Sequence, residues 1–206
     1  MTEIELTRRE RKKEETKERI FKAALKLFKT KGFEATTVDD IAAKADVAKG
    51  TFFNYFPRKE EVLGHLGTIW IEEAEQRAEA ILREPGAAGA RIIEMLADFA
   101  GFYEEDPALS VHVATEWSRR MHAGVDETCQ RWDRLGERII ERLQAAGEMR
   151  RDVDPVTASQ LMASVYDGTM LRWVAAVEKP FPLKQELRRR MTLVIEGLGP
   201  RTETPS

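Results

Sequence analysis

Thr36-Thr-Val-Asp-Asp-Ile-Ala-Ala-Lys-Ala-Asp-Val-Ala-Lys-Gly-Thr-Phe-Phe-Asn-Tyr-Phe-Pro-Arg-Lys59 reads as two short helices joined by a tight turn. Thr37, followed three residues later by Asp40, has the pattern of a capping box with a shorter acid than usual, so the first helix begins after Thr37. Val38, Ile41, Ala42 and Ala45 then share one face. Asp46-Val47 breaks this apolar run, and Val47 is placed to fill the angle between the two helices. The second helix covers roughly Lys49 to Phe56. Pro57 disfavours helical backbone in the residue before it and so ends that helix, and Arg58-Lys-Glu-Glu61 opens the next.

The second helix is unusual in composition. Phe52, Phe53, Tyr55 and Phe56 are more aromatic surface than so short a helix can bury on one face. Some of these rings must point outward, beside Lys49, Thr51, Asn54 and the flanking Lys59, all able to donate hydrogen bonds to phosphates or base edges. Composition alone equally admits an aromatic-rich core hairpin with solvated lysines.

The order of residues separates the two. Thr-Thr-Val-Asp-Asp-Ile-Ala from Thr36, Ala-Asp-Val-Ala-Lys-Gly-Thr-Phe-Phe-Asn-Tyr-Phe to Phe56, and Arg-Lys-Glu-Glu-Val-Leu to Leu63 closely resemble the DNA-binding signature of the TetR family of bacterial repressors. A contiguous match with several fixed spacings is far more specific than a generic helix-turn-helix pattern. The resemblance implies that Thr36 and Thr37 lie at the DNA backbone, and that Lys49, Gly50, Thr51 and Asn54 lie on the recognition helix. It also implies that Tyr55 and Lys59 hold phosphates. Three departures stand out: Asp46 replaces the usual turn glycine, Ala48 a frequent capping serine, and Phe53 a tyrosine whose hydroxyl would reach a phosphate.

Composition sets outer limits. The 206 residues can bury a substantial core, as one unit or as a small head on a larger body. The lone Cys129 excludes an intramolecular disulfide, and His65, His112 and His122 form no metal-ligand motif with it, so neither metal nor cofactor is expected. The charged N-terminus lacks the apolar run of a signal peptide, and no segment approaches the length of a membrane span, so the expected setting is the reducing cytoplasm. The net charge of −3 argues against a non-specific nucleic-acid coat. Its distribution is uneven: up to Glu60 there are 15 Lys or Arg against 11 Asp or Glu, a net +4, and the remainder carries −7. A mildly basic head on an acidic body suits contact with a polyanion at one end.

The remaining pattern is helical throughout, which gives an all-α chain of about nine helices with no alternating strand signal. Thr7-Arg-Arg-Glu-Arg-Lys-Lys13 reads either as a basic arm for a minor groove or as a solvated helix start. From Thr16, Ile20, Ala24, Leu27 and Phe28 follow helical spacing until Gly32 stops them. A long helix runs from after Pro57 to about Arg83, burying Leu63, Leu66, Trp70, Ala74, Ala78 and Ile81, and is a candidate lever. The next carries Ile92, Ile93, Met95, Leu96, Phe99, Phe102 and Tyr103 on an arc wide enough to be central to a bundle. Further helices start at Pro107, near Val125 after the His122-Ala-Gly124 interruption, at Asp154-Pro155 and after Lys179-Pro-Phe-Pro182. The resulting division is a three-helix helix-turn-helix DNA-binding domain over residues 1–57 with its basic arm, a helical effector-binding and dimerisation bundle over 58–200, and a disordered tail over 201–206.

The last two long helices have apolar faces at the end of a filled bundle, which predicts a homodimer paired through them on a two-fold axis. Such a dimer places two recognition helices about 34 Å apart, one duplex turn, for a palindromic operator. Trp70, Phe99, Tyr103, His112, Trp117, Met121, Trp132, Met162 and Tyr166, with Cys129, are candidates to line a cavity between helices, although each singly also reads as ordinary core. Regulators that this chain resembles usually bind a small, often apolar or aromatic effector there, and no membrane is involved. The expected function is therefore a DNA-binding repressor released by a small molecule. The rival is a ligand- or partner-binding helical protein that has lost DNA affinity, for which Asp46, Ala48 and Phe53 speak. An enzyme is not expected: Cys129 has no histidine within helical reach, Ser110 and His112 lie on different faces, and Glu104-Glu-Asp106 is a helix end.

Overall fold

The computed structural model describes residues 7–123 and 127–200, with every side chain in that range except those of residues 122 and 123. The His122-Ala-Gly124 interruption, Val125 and the expected tail over 201–206 fall wholly or in part outside the described residues. Among the described residues there are nine α-helices and no strand: α1 (Arg8–Lys31), α2 (Val38–Lys44), α3 (Lys49–Tyr55), α4 (Glu61–Arg83), α5 (Ala88–Glu105), α6 (Pro107–Ala123), α7 (Glu127–Ala145), α8 (Pro155–Ala175) and α9 (Leu183–Gly197). The chain divides into two compact units between Leu66 and Gly67, within α4.

In the first unit, α1 buries Ile20, Phe21, Ala23, Ala24 and Phe28. The buried set is one residue larger than its sequence spacing suggests, because Phe21 and Ala23 turn inward while Leu27 stays partly exposed. Those side chains share the core with Phe33, Ile41, Ala42, Phe52, Phe56 and Val62. His65 sits among the rings, with Phe21 edge-on at 5.0 Å and Phe56 at 5.9 Å. The basic stretch, read from sequence as either an arm or a solvated helix start, is helical from Arg8. Its reason is local: Thr7 and Glu10 form a reciprocal capping box, and Arg11–Glu15 and Glu18–Lys22 pair one turn apart.

The second unit is a helical bundle whose main core joins Ile71 and Ala74 of α4, Ile92 and Met95 of α5, Leu135 and Ile140 of α7, and Met162 of α8. A second cluster of Ala100, Met170, Trp173, Leu183 and Leu187 lies against Tyr103, Tyr166 and Phe181. Two helices without caps of their own are closed by distant carboxylates. Glu148 accepts from the Ala88 and Gly89 N–H groups at 2.8 Å each, closing α5. Glu104 accepts from the Leu183 N–H at 2.6 Å, closing α9, so this residue of the acidic helix end has a structural role. Asp154, directly before Pro155, caps α8 through the Thr157 N–H at 2.9 Å.

Candidate nucleic-acid interface

The interface is built on α2, the turn and α3. Thr37 accepts from the Asp40 N–H at 3.1 Å and donates its own N–H back to Asp40 at 2.9 Å, so the capping box forms as its sequence predicts. The Lys31 ammonium, bonded to the same carboxylate, and the two Thr37 donors hold Asp40 well below the usual carboxylate range. This pins α1 to the start of α2. Asp46, at the turn, has φ +52°, the left-handed conformation that favours glycine. Its replacement of glycine thus leaves the turn intact. Ala48, without a side-chain oxygen, gives α3 no side-chain cap.

Phe52 on α3 and Phe56 directly after it are buried, four residues apart. That spacing directs Lys49, Gly50, Phe53 and Asn54 outward together, and all four are exposed. Asn54, Thr51 and the Tyr55 hydroxyl make no side-chain hydrogen bond among the described residues, and their polar atoms are at least partly accessible. They are therefore available to a ligand rich in hydrogen-bonding groups. Gly50 lies in ordinary helical backbone, and a Cβ there would meet nothing within 4 Å. Neither strain nor crowding from within the chain explains a glycine at this position, whereas close approach by an outside surface would.

Two expected contacts, Thr36 and Lys59, are engaged within the chain. Thr36 is buried, its hydroxyl donating to the Gly32 carbonyl at 2.7 Å and its N–H to Phe33, so it ties the loop after α1 and is not offered to a phosphate. Lys59 donates to the Phe33 carbonyl at 2.8 Å and the Thr36 carbonyl at 3.2 Å, and its ammonium lies 4.2 Å from the Phe33 ring. Its first commitment is to that same loop, which leaves at most one N–H for an outside oxygen. Thr37 remains exposed, with its hydroxyl in the capping box. Lys49 donates to Asp39 at 2.9 Å, a partner that its sequence position does not reveal.

In the second unit, the candidate ligand residues fall into two ring groups. Phe99, Trp132 and Trp117 form a chain from α5 to α7 to α6, with centroids 6.4 and 6.3 Å apart. Trp70 of α4 lies 4.9 Å from Phe102 and 6.2 Å from Tyr103. Tyr166 donates to the Leu96 carbonyl at 3.4 Å, and Met162 is buried in the main core. His112 is half-buried on α6, and Cys129 is buried. Met121 is 40% exposed near the end of α6. Two residues escaped sequence reasoning. Phe102 completes the Trp70 group, and Asp167 lies by Tyr103 and Tyr166 with no hydrogen bond or ion pair among the described residues. Burial, aided by the nearby Asp133, pushes the Asp167 carboxyl up to about 6. Its signal was legible: it is the only acid in the 21 residues of α8. Among the described residues, no group of His, Cys, Asp and Glu could hold a metal ion, and no helix is long and apolar enough to cross a membrane.

Comparison with known proteins covers the first unit and most of the second. Residues 20–66 match the model of the bacterial regulatory proteins of the tetR family. The chain is 25% identical over 202 residues to the HTH-type transcriptional repressor DhaR of Mycobacterium sp. (strain GP1), covering 92% of this chain and 96% of that one. Among solved structures, it is similar to the TetR-family repressor FadR of Thermus thermophilus, in complex with lauroyl-CoA, with a TM-score of 0.73 and 28% identity over 92% of this chain and 99% of that one. The Bacillus subtilis regulator FadR in complex with stearoyl-CoA has the same fold, with a TM-score of 0.68 and 21% identity over 87% of this chain and 98% of that one. The capped α2, the left-handed turn and the outward face of α3 are thus those of a helix-turn-helix domain of the tetR type, and the family model, the curated relatives and the solved structures all indicate the tetR family of bacterial regulatory proteins.

Proposed function

We propose that the protein is a repressor that binds a palindromic operator as a homodimer and leaves it when a small molecule occupies the second unit. The observation that carries the DNA reading is the outward face of α3. Lys49, Gly50 and Asn54 stand exposed on it, and Thr51 and Tyr55 flank it with polar groups that make no side-chain hydrogen bond among the described residues. Lys49 and Tyr55 suit phosphates, Asn54 suits a base edge, and Gly50 lets the backbone come close. Thr37 is accessible for a backbone contact, and Lys59 acts mainly by holding the loop that presents α2.

The dimer reading rests on α8. Leu161, Ser164, Gly168, Leu171 and Ala175 recur at intervals of three and four, and all are exposed, which makes a continuous apolar and small-residue stripe along the helix. Leu193 of α9 is 57% exposed. A second copy related by a two-fold axis would cover these faces in a four-helix interface.

For the effector, the two ring groups around Phe99 and Trp70 favour a molecule with a substantial apolar part. The acyl-CoA thioesters held by the Thermus and Bacillus proteins are the class to test first. α4 contributes residues to both units, and is the element that would carry a change between them. A coupling of about 2.7 kcal/mol corresponds to a hundredfold loss of operator affinity.

The test is fluorescence anisotropy with duplex DNA from upstream of the protein's own gene, with and without lauroyl-CoA, and with free CoA as control. Preference for that duplex over random DNA, lost on adding the thioester, is the expected result. Equal affinity for all duplexes would overturn the DNA reading, and unchanged affinity on thioester addition would overturn the effector class.

A further inference from the structure

Among the described residues up to Leu66, Phe53 is the single large apolar side chain that is exposed, at 45%. It lies on α3, four residues after Lys49, three after Gly50 and next to Asn54, at the border between the buried face of Phe52 and the outward face. Its ring meets the buried Phe52 edge-on, with centroids 5.6 Å apart and planes at 86°. One side of the ring is thereby held against the core, and the rest is turned outward. A phenyl ring offers no hydrogen bond to a phosphate, so its place on this polar face needs another partner. Only one base presents an apolar group in the major groove: thymine, through its C5 methyl.

We infer that Phe53 is a specificity-determining residue that reads a thymine methyl in each operator half-site. The inference rests on the DNA reading under Proposed function, and adds to it the identity of one base and the residue that selects it. Gly50, one turn before Phe53, has open space where a Cβ would stand, so this part of α3 has room to approach the groove closely enough for van der Waals contact. Asn54 beside it would set the register by hydrogen bonding, while Phe53 supplies the apolar contact.

The half-site is first recovered by selecting duplexes bound by the full-length protein from a random-sequence pool. Each thymine of the half-site is then replaced singly by deoxyuridine, which removes the methyl and leaves every hydrogen-bonding group in place. At one position the wild-type protein should lose about fourfold in affinity per half-site, the value of one buried methyl-sized group. Phe53→Ala, an exposed substitution whose fold is verified by circular dichroism, should bind the thymine and deoxyuridine duplexes equally. If no thymine is sensitive, or if the same sensitivity persists in Phe53→Ala, the inference is overturned while the DNA reading stands. If the selection enriches no sequence, the DNA reading itself falls.

Discussion

Lys49, the first residue of the recognition helix, donates its ammonium to the Asp39 carboxylate 2.9 Å away on α2, so this cation of the outward face of α3 is already paired in the free protein. Both side chains are more than half exposed, which makes the pair weak in itself. Its consequence is for DNA, because a phosphate approaching Lys49 must displace or share Asp39. Asp39→Asn should therefore tighten binding to operator and random duplexes alike, by about twofold to fivefold at low salt, and steepen the salt dependence by up to about one per half-site. Anisotropy titrations across a salt series read both quantities. Weaker binding by Asp39→Asn would instead mean that the carboxylate aims Lys49.

Thr36 and Lys59 hold the loop between α1 and α2 through buried or half-buried hydrogen bonds. Thr36→Val keeps the shape but leaves the Gly32 carbonyl without that donor, at a cost of about 1 to 2 kcal/mol. Lys59→Met should cost a similar amount. Urea unfolding would show the loss, and the salt dependence of DNA binding by the folded Thr36→Val protein should match wild type. A reduced salt slope in Thr36→Val would restore Thr36 to the DNA backbone.

Asp46 holds a left-handed backbone that costs a residue with a Cβ about 1 kcal/mol more than glycine. Asp46→Gly should be neutral to stabilising by up to about 1 kcal/mol, the gain being limited by glycine's freedom in the unfolded chain. Asp46→Ala should lower the melting temperature, because alanine lacks the short polar side chain that eases this conformation. Calorimetry on the three proteins orders them Gly, Asp, Ala, and a different order would remove the strain argument.

Gly50 separates stability from function. Alanine there fits the helix without a clash and is the better helix former by up to about 1 kcal/mol. Gly50→Ala should therefore melt no lower than wild type, yet bind DNA more weakly, by about tenfold if the added methyl meets the duplex. Unchanged affinity would mean that the backbone of α3 stays clear of the groove.

Asp167 gives the second unit a pH dependence. Its carboxyl titrates near 6 when folded and near 3.8 otherwise, so the folded state holds the proton more tightly. The cost of burying the charge is absent below about pH 4, grows through that interval, and is fully present above pH 6. Asp167→Asn should accordingly stabilise the protein at pH 7.5 by roughly 1 to 3 kcal/mol and have little effect at pH 4. Equal effects at both pH values would show that the carboxylate is stabilised by something other than titration.

The features legible beforehand are those in which cause and effect lie within one or two helical turns. Thr37 with Asp40, Asp154 before Pro155, and the outward turn of some of the rings around α3 all follow from short-range spacing, whereas which ring stays outside, Phe53, came from the structure. The same locality decides between the two readings of the N-terminal basic stretch, where Thr7 and Glu10 also spell a capping box and the helix start is the one found. Tertiary structure alone decided who meets whom. Lys59 reaches back 26 residues to the Phe33 carbonyl, Glu148 closes a helix 60 residues earlier, and Asp167 comes to rest beside Tyr103. Such pairings depend on which helix faces pack together, a property of the whole bundle that periodicity along one helix does not contain.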